Sequence, residues 1–316
     1  MRADLLHVVT AYANPQRYLS RKLLFDRFAA HMAASGVPLT VVECAYGDRL
    51  FELADTPGIT HVGVRARSLV WEKERQLNAG IARLPQDWKY VAWVDADIVF
   101  RNPTWAADTV HALQQYDVVQ PWTTCYDLGP SGEHLELHRS FCRQWILGEP
   151  VGHEPYAAFA HPGYAWAATR GALEALGGLV DTAALGAADH HMALALVGRA
   201  QDSFPAGISA GYQRPILQWQ DRARQHVAGN IGAVSGTIEH EYHGAKALRR
   251  YVDRWSILTR NAFDPDTDLK TNVWGLWELA GNKPALRRDI NAYFAQREED
   301  ATTLSAAREL LAQEAP

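Results

Sequence analysis

Apolar residues fall along this chain in short unbroken runs, separated by stretches in which they recur every three or four positions. Leu5–Tyr12 (Leu-Leu-His-Val-Val-Thr-Ala-Tyr) is such a run, rich in β-branched side chains, and predicts a buried strand. Asn14-Pro15 ends it. Over Tyr18–Ala34 the apolar positions Leu19, Leu23, Phe28 and Met32 keep near-helical spacing and predict an amphipathic helix. Leu39–Tyr46 and Ile59–Val64 read as second and third strands, and Trp71–Leu84 as a second helix. Tyr90–Phe100 reads as a strand that runs into acidic residues. Thr104–Gln115 is a third helix with Thr104 at its N-cap, and Asp117–Trp122 a further strand.

Strands alternating with helices in this way imply an α/β fold with a mostly parallel central sheet flanked by helices. Such sheets bind ligands outside the carboxyl ends of their strands. The chemistry is therefore expected just after Tyr12, Tyr46, Phe100 and Trp122. Residues 123–162 are irregular, rich in His, Gly and Pro, and read as a long active-site loop region. Tyr164–Arg170 predicts a short strand, followed by helices near 171–177 and 188–197. Residues 203–236 are again punctuated by Gly and Pro, and from 284 two short helices close the chain.

A net charge of −5 argues against a general polyanion binder. No run of eighteen apolar residues predicts a membrane span. No basic segment followed by a long apolar stretch marks a signal peptide. The cysteines Cys44, Cys125 and Cys142 are odd in number and lack metal-ligand spacing. A cytoplasmic protein without a disulfide framework is the expectation.

Asp95-Ala96-Asp97 directly follows the apolar Val91-Ala92-Trp93-Val94. Side chains two apart in a strand share a face, so both carboxylates would converge at the strand's end. Like charges held together repel unless a cation neutralises them. Carboxylate oxygens suit Mg²⁺ or Mn²⁺, ions that bridge diphosphate oxygens. Phosphatases of the haloacid dehalogenase type also use Asp-x-Asp, with a nucleophile at the place of Asp95. They do so in the first strand, whereas three strands precede Asp95 here. Neither Gly-x-Gly-x-x-Gly nor Gly-x-x-x-x-Gly-Lys-Ser/Thr is present.

With this motif in place the chain resembles glycosyltransferases of the GT-A (Rossmann-like) fold, over roughly residues 5–250. In that fold an Asp-x-Asp motif holds Mn²⁺ on the diphosphate of a nucleotide-sugar. Three further segments carry the likeness. Trp71-Glu72-Lys73-Glu74-Arg75-Gln76-Leu77-Asn78-Ala79-Gly80 is similar to a helix with a basic residue followed by Leu-Asn-x-Gly; the resemblance implies Lys73 or Arg75 at the diphosphate and Asn78 near the metal site. Gly163-Tyr164-Ala165-Trp166, then Gly177-Gly178 and Gly186-Ala187-Ala188-Asp189-His190-His191, resembles the acceptor half. It implies a sugar pocket at Gly163, Tyr164 and Trp166, with Asp189 as general base and His190 as the second candidate. Ala188 and the two histidines depart from the acids common there. His240-Glu241-Tyr242-His243-Gly244-Ala245-Lys246 resembles the segment that completes the metal site. It implies His243 as ligand beside Asp95 and Asp97, with His240 the alternative, and Gly244 and Lys246 at the diphosphate.

By the same resemblance Thr10, Ala11, Tyr12 and Glu43 would line the base and ribose. The implied architecture is a catalytic domain over 1–250, nucleotide-sugar half 1–122 and acceptor half 123–250, with a C-terminal helical extension over 251–316. The implied activity is Mn²⁺- or Mg²⁺-dependent transfer from a nucleotide-sugar, UDP-sugar favoured, to a hydroxyl acceptor, with inversion. The Tyr-His-Gly segment followed by Arg-Tyr-x-x-Arg resembles glycosyltransferases carried by bacteriophages. Acceptors would then be a glycan, a protein or a modified DNA base, and the location a bacterial or phage-infected cytoplasm. Three other readings stand beside this one. They are a phosphatase built on Asp95, a sugar-phosphate nucleotidyltransferase, whose Gly-rich, Arg-containing loop is missing, and a non-catalytic glycan-binding module.

Overall fold

Strand β1 (Leu6–Ala13) is the axis of the fold, because its residues feed two cores at once. Leu6, Val8 and Tyr12 enter one core and Val9 the other, as alternating side chains of a doubly covered strand must. The computed structural model describes residues 2–152, 160–244, 253–296 and 299–300.

After β1 come α1 (Leu19–Ala34), β2 (Leu39–Tyr46), β3 (Ile59–Ala66), α2 (Lys73–Ile81), β4 (Tyr90–Val94) and β5 (Ile98–Phe100). Then follow α3 (Trp105–Ala112), β6 (Val118–Gln120), β7 (Thr124–Leu128), β8 (His134–Ser140), α4 (Phe141–Ile146), β9 (Ala160–His161) and β10 (Ala165–Thr169). The chain continues through α5 (Arg170–Leu176), α6 (Ala188–Leu196), α7 (Ala210–His226), β11 (Ile231–Ala233) and β12 (Thr237–His240). Last come α8 (Asp253–Arg260), α9 (Pro265–Asp268), β13 (Leu269–Thr271), β14 (Trp277–Leu279) and α10 (Pro284–Ala295).

The main sheet has seven strands in the order β11-β6-β10-β4-β1-β2-β3. Six run parallel, and β10 runs against its neighbours β4 and β6. Helices α1 and α3 cover one face, while α2, α5, α6 and α7 cover the other. The α/β architecture read from the hydrophobic pattern is the observed one.

Three expectations are corrected. The strand expected over Tyr90–Phe100 is broken at Asp95-Ala96-Asp97: β4 belongs to the main sheet and β5 to a second one. The acidic pair thus sits in the turn where the chain changes sheets, and the two-residue period of a strand does not govern it. Residues 123–162, expected to be irregular, contain the hairpin β7–β8. With β5, β12 and β9 it forms a five-stranded sheet in the order β5-β12-β7-β8-β9. Its inward positions carry Asp127 and His138, so polar residues hide the alternation. Residues 203–236, expected to be punctuated by Gly and Pro, hold the long helix α7, which runs through Pro215.

The C-terminal stretch is not purely helical, since β13 and β14 pair as a hairpin. Leu258, Phe263, Leu286 and Ile290 share a core with Trp93 and Trp166. The last short helix expected from sequence falls largely within 301–316, outside the described residues. Among the described residues no helix is long and apolar enough to cross a membrane. All three cysteines are buried.

Candidate active site

A cleft of about 510 Å³ opens where β1, β2 and β4 end. Its walls are Thr10–Ala13, Tyr46, the Asp95–Asp97 turn, the start of α2, the segment His161–Tyr164 and the start of α6. The carboxyl ends of the strands are where a parallel sheet is expected to bind. At the predicted positions after Phe100 and Trp122 there is no cleft lining, and Trp122 is fully buried.

Asp97, His240 and His243 meet in this cleft, each offering one ligand atom within 4.8 Å of the others. Asp97 Oδ2 lies 3.1 Å from His243 Nε2 and 3.6 Å from His240 Nε2. The position of His240 follows from pairing of β12 with β5, where His240 stands opposite Ile98, just past the acidic turn. A backbone bond from Glu241 N to Asp97 O (2.9 Å) locks the two segments together. Burial alone would raise the Asp97 carboxyl, but the two imidazoles outweigh it and hold it well below the usual carboxylate range. The other oxygen, Oδ1, is buried without a hydrogen-bond partner among the described residues. One carboxylate and two imidazoles with an unsatisfied buried oxygen make a donor set that fits a divalent ion. The sequence singled out one histidine here; the structure brings in both.

Asp95 is not in that cluster. Its carboxylate is ion-paired with Lys73 Nζ, the first residue of α2. Its backbone N donates to Tyr164 O (2.8 Å). Burial raises the Asp95 carboxyl while Lys73 opposes the rise and Asp97 adds to it. Beside Lys73, Glu74 is buried and lines the cleft; burial pushes its carboxyl up to about 8, with Lys73 pulling it down.

Asp189 is the second residue of α6, and the N-cap is Ala187, held at a positive φ of 83° after Gly186 at 89°. Asp189 Oδ1 accepts from the backbone N of His190 (2.8 Å). Its Oδ2 comes close to Gly163, where an added Cβ would stand 3.1 Å away. Both Asp189 and His190 face the cleft. Across from them His161 stacks on Tyr164 with ring centroids 4.1 Å apart. Tyr164 adopts φ 76° and donates from its hydroxyl to Asp127 Oδ1 (2.8 Å).

Other residues expected at the donor turn elsewhere. Glu43 accepts from the backbone N of Glu52 and Leu53 and lies 2.8 Å from His61 Nε2, so it organises a loop away from the cleft. Arg75 donates to Gly275 O (2.6 Å) and Asp181 Oδ2 (2.9 Å) and stacks on Trp277. Asn78 bonds both N and O of Leu179, bracing the turn after Gly177-Gly178. Trp166 lies in the core and donates to Pro162 O (2.6 Å). Thr10 and Tyr12 do line the cleft, as does Ala11. There Thr10 Oγ1 donates to Val94 O (2.7 Å), tying β1 to β4. Gly244 is buried at φ 95°. Lys246, Arg249 and Arg250 lie outside the described residues. Sequence reasoning gave no individual role to Asp127, Glu74, His138 or His161, although Glu74 stands in the helix motif and the other three fall within residues 123–162.

No protein-family model matches the chain, and no curated protein matches it. Among solved structures, Staphylococcus aureus TarS 1–349 in complex with UDP-GlcNAc is 10% identical, with 76% of this chain and 59% of that chain covered at a TM-score of 0.44. This chain therefore spans about three fifths of that structure. Glucosyl-3-phosphoglycerate synthase from Mycobacterium tuberculosis, in complex with Mg²⁺ and UDP, is 15% identical, with 81% and 76% covered at 0.38. A Drosophila β-1,4-galactosyltransferase 7 mutant, in complex with manganese, UDP-Gal and xylobiose, is 12% identical, with 84% and 86% covered at 0.37. The structures to which the chain is similar thus include a galactosyltransferase and proteins holding UDP or a UDP-sugar.

Proposed function

We propose that the chain is a divalent-metal-dependent glycosyltransferase, moving a sugar from a nucleotide-sugar, UDP-sugar favoured, to a hydroxyl acceptor with inversion. One observation carries this reading: Asp97, His240 and His243 converge in a cleft at the carboxyl end of a parallel sheet. Asp97, His240 and His243 would hold the ion, and the two imidazoles favour Mn²⁺ over Mg²⁺. When bound, such an ion neutralises the charge that develops on a departing diphosphate.

The chain's own residues supply the rest. Lys73, held by Asp95, places a fixed positive charge at the cleft floor, where it steadies a leaving phosphate oxygen. Asp189 lines the cleft and takes the proton from the acceptor hydroxyl as the new bond forms at the sugar carbon and the bond to the diphosphate breaks. His161, stacked on the buried Tyr164, lines the cleft and gives a sugar a braced aromatic wall. The acceptor is a glycan, a protein or a modified DNA base.

The phosphatase reading needs Asp95 as a nucleophile, yet that carboxylate is ion-paired with Lys73. The test is a thermal-shift screen of nucleotide-sugars with Mn²⁺, followed by hydrolysis of the best binder without acceptor. Stabilisation that requires both Mn²⁺ and a nucleotide-sugar, with slow turnover, supports transfer. Stabilisation without turnover favours a binding module. No stabilisation by any nucleotide-sugar sinks the proposal.

A further inference from the structure

Asp127 sits on β7, the middle strand of the five-stranded sheet. Strand register puts His240 directly opposite it on β12 and Glu136 opposite it on β8. The carboxylate is almost wholly buried, with 4% of its side chain exposed. Oδ1 lies 2.8 Å from His240 Nδ1 and also accepts from the Tyr164 hydroxyl (2.8 Å). Oδ2 lies 2.9 Å from His138 Nε2. A carboxylate can only accept here, so His240 must carry its proton on Nδ1. That leaves the Nε2 lone pair turned toward Asp97 and His243, at 3.6 and 3.2 Å from their facing atoms.

We infer that Asp127 is a positioning residue for the metal cluster: it sets the tautomer and ring orientation of His240 and joins the cluster to the cleft wall through His138. The inference rests on the metal reading above and deepens it. A carboxylate behind a ligating imidazole orients the ring and raises its basicity. Asp127, Glu136 and His138 also bring ligand atoms within 4.8 Å of one another. Both Asp127 oxygens are already engaged by protein groups, so that set is a bracket, not a second ion site.

The experiment compares Asp127→Asn, Tyr164→Phe and Glu136→Gln with the unmodified chain. Two readouts are used: Mn²⁺ affinity by titration, and the imidazole ¹⁵N spectrum of the metal-free protein. Asp127→Asn is expected to weaken Mn²⁺ binding about 10- to 100-fold, while the other two stay within about threefold. In the spectrum, Asp127→Asn is expected to lose the pure Nδ1–H signature of His240, and Tyr164→Phe to keep it. Tyr164→Phe removes a bond to the same oxygen, so it reports any merely structural loss. A folded Asp127→Asn chain with unchanged affinity and tautomer overturns the inference alone. Equal loss in Glu136→Gln moves the ion to the other cluster and overturns it too. An unmodified chain that binds no Mn²⁺, with His240 still on Nδ1–H, overturns the metal reading and with it the role assigned to Asp127.

Discussion

His243 Nε2 lies 3.1 Å from Asp97 Oδ2, while the buried Oδ1 of the same carboxylate has no hydrogen-bond partner among the described residues. A buried oxygen left unpaired is destabilising by about 1–3 kcal/mol, and a cation bound by this carboxylate would offset that cost. Asp97→Asn should therefore abolish the rise in thermal midpoint that Mn²⁺ produces and lower transfer by about three orders of magnitude. In the absence of metal its midpoint should stay within about 4 °C of the unmodified chain. Differential scanning calorimetry with and without Mn²⁺ checks both. A variant that keeps its Mn²⁺ response removes Asp97 from the metal site.

Glu72 offers a pH test independent of catalysis. It is buried, Oε2 accepts from Trp277 N (3.2 Å), and Oε1 has no hydrogen-bond partner among the described residues. Burial pushes its carboxyl from the usual 4.5 up to about 8, against the pull of the Trp277 bond and Arg75. The folded chain thus holds a proton there that the unfolded chain releases at lower pH. As pH rises from 4.5 to about 8 this group lowers stability, and above 8 the loss is complete. Glu72→Gln should escape that loss. The two chains should be close in stability at pH 5, with the variant ahead by about 1–3 kcal/mol at pH 8.5. Urea unfolding at the two pH values decides it; a constant gap would mean that Glu72 is ionised in the fold throughout.

How far the sequence carried can be judged at single residues. The apolar runs of β1, β2 and β4 announced a doubly covered sheet, since few polar positions interrupt them. The acidic pair announced itself as chemistry, but not as the break between two sheets, because Ile98–Phe100 continues the apolar run into a different sheet. The hairpin β7–β8 stayed hidden, as its inward face carries Asp127 and His138 where a core strand would carry aliphatic residues. Glu43 and Asn78 were assigned to the donor side by resemblance, from a strand position and a Leu-Asn-x-Gly motif. Period and position cannot tell that Glu43 turns to the Glu52–Leu53 backbone, or that Asn78 turns to Leu179. Such contacts span distances that local pattern does not encode.

Helix α2 owes its place to Gly80. A Cβ there would stand 2.6 Å from Val9 Cγ1 and 2.8 Å from Val42 Cγ2, both core side chains of the central strands. Gly80→Ala must push the helix off the sheet or force those rotamers, at a cost of about 1–3 kcal/mol despite the better helix propensity of alanine. Since α2 also carries Lys73, the shift should raise the KM for the nucleotide-sugar more than it lowers kcat. Chemical denaturation together with steady-state kinetics tests the pair of effects. A gain in stability would show that the contact at Gly80 is slack.

The assignment of Asp189 can be separated from simple helix stabilisation. A carboxylate in the first turn of a helix is worth about 0.3–1 kcal/mol through the macrodipole, and Asp189 has that position in α6. Were this its whole role, Asp189→Asn would lower stability slightly and leave turnover nearly intact, since asparagine still accepts from the His190 backbone N. Acting as general base, the same change should reduce kcat about 10²- to 10⁴-fold. Because Asp189 is not a member of the metal cluster, binding of Mn²⁺ and of the nucleotide-sugar should persist. His190→Ala in parallel identifies the alternative base: it should cost far less than Asp189→Asn. If His190→Ala proves the more damaging, the proton passes to the imidazole and Asp189 is left as the residue that positions it.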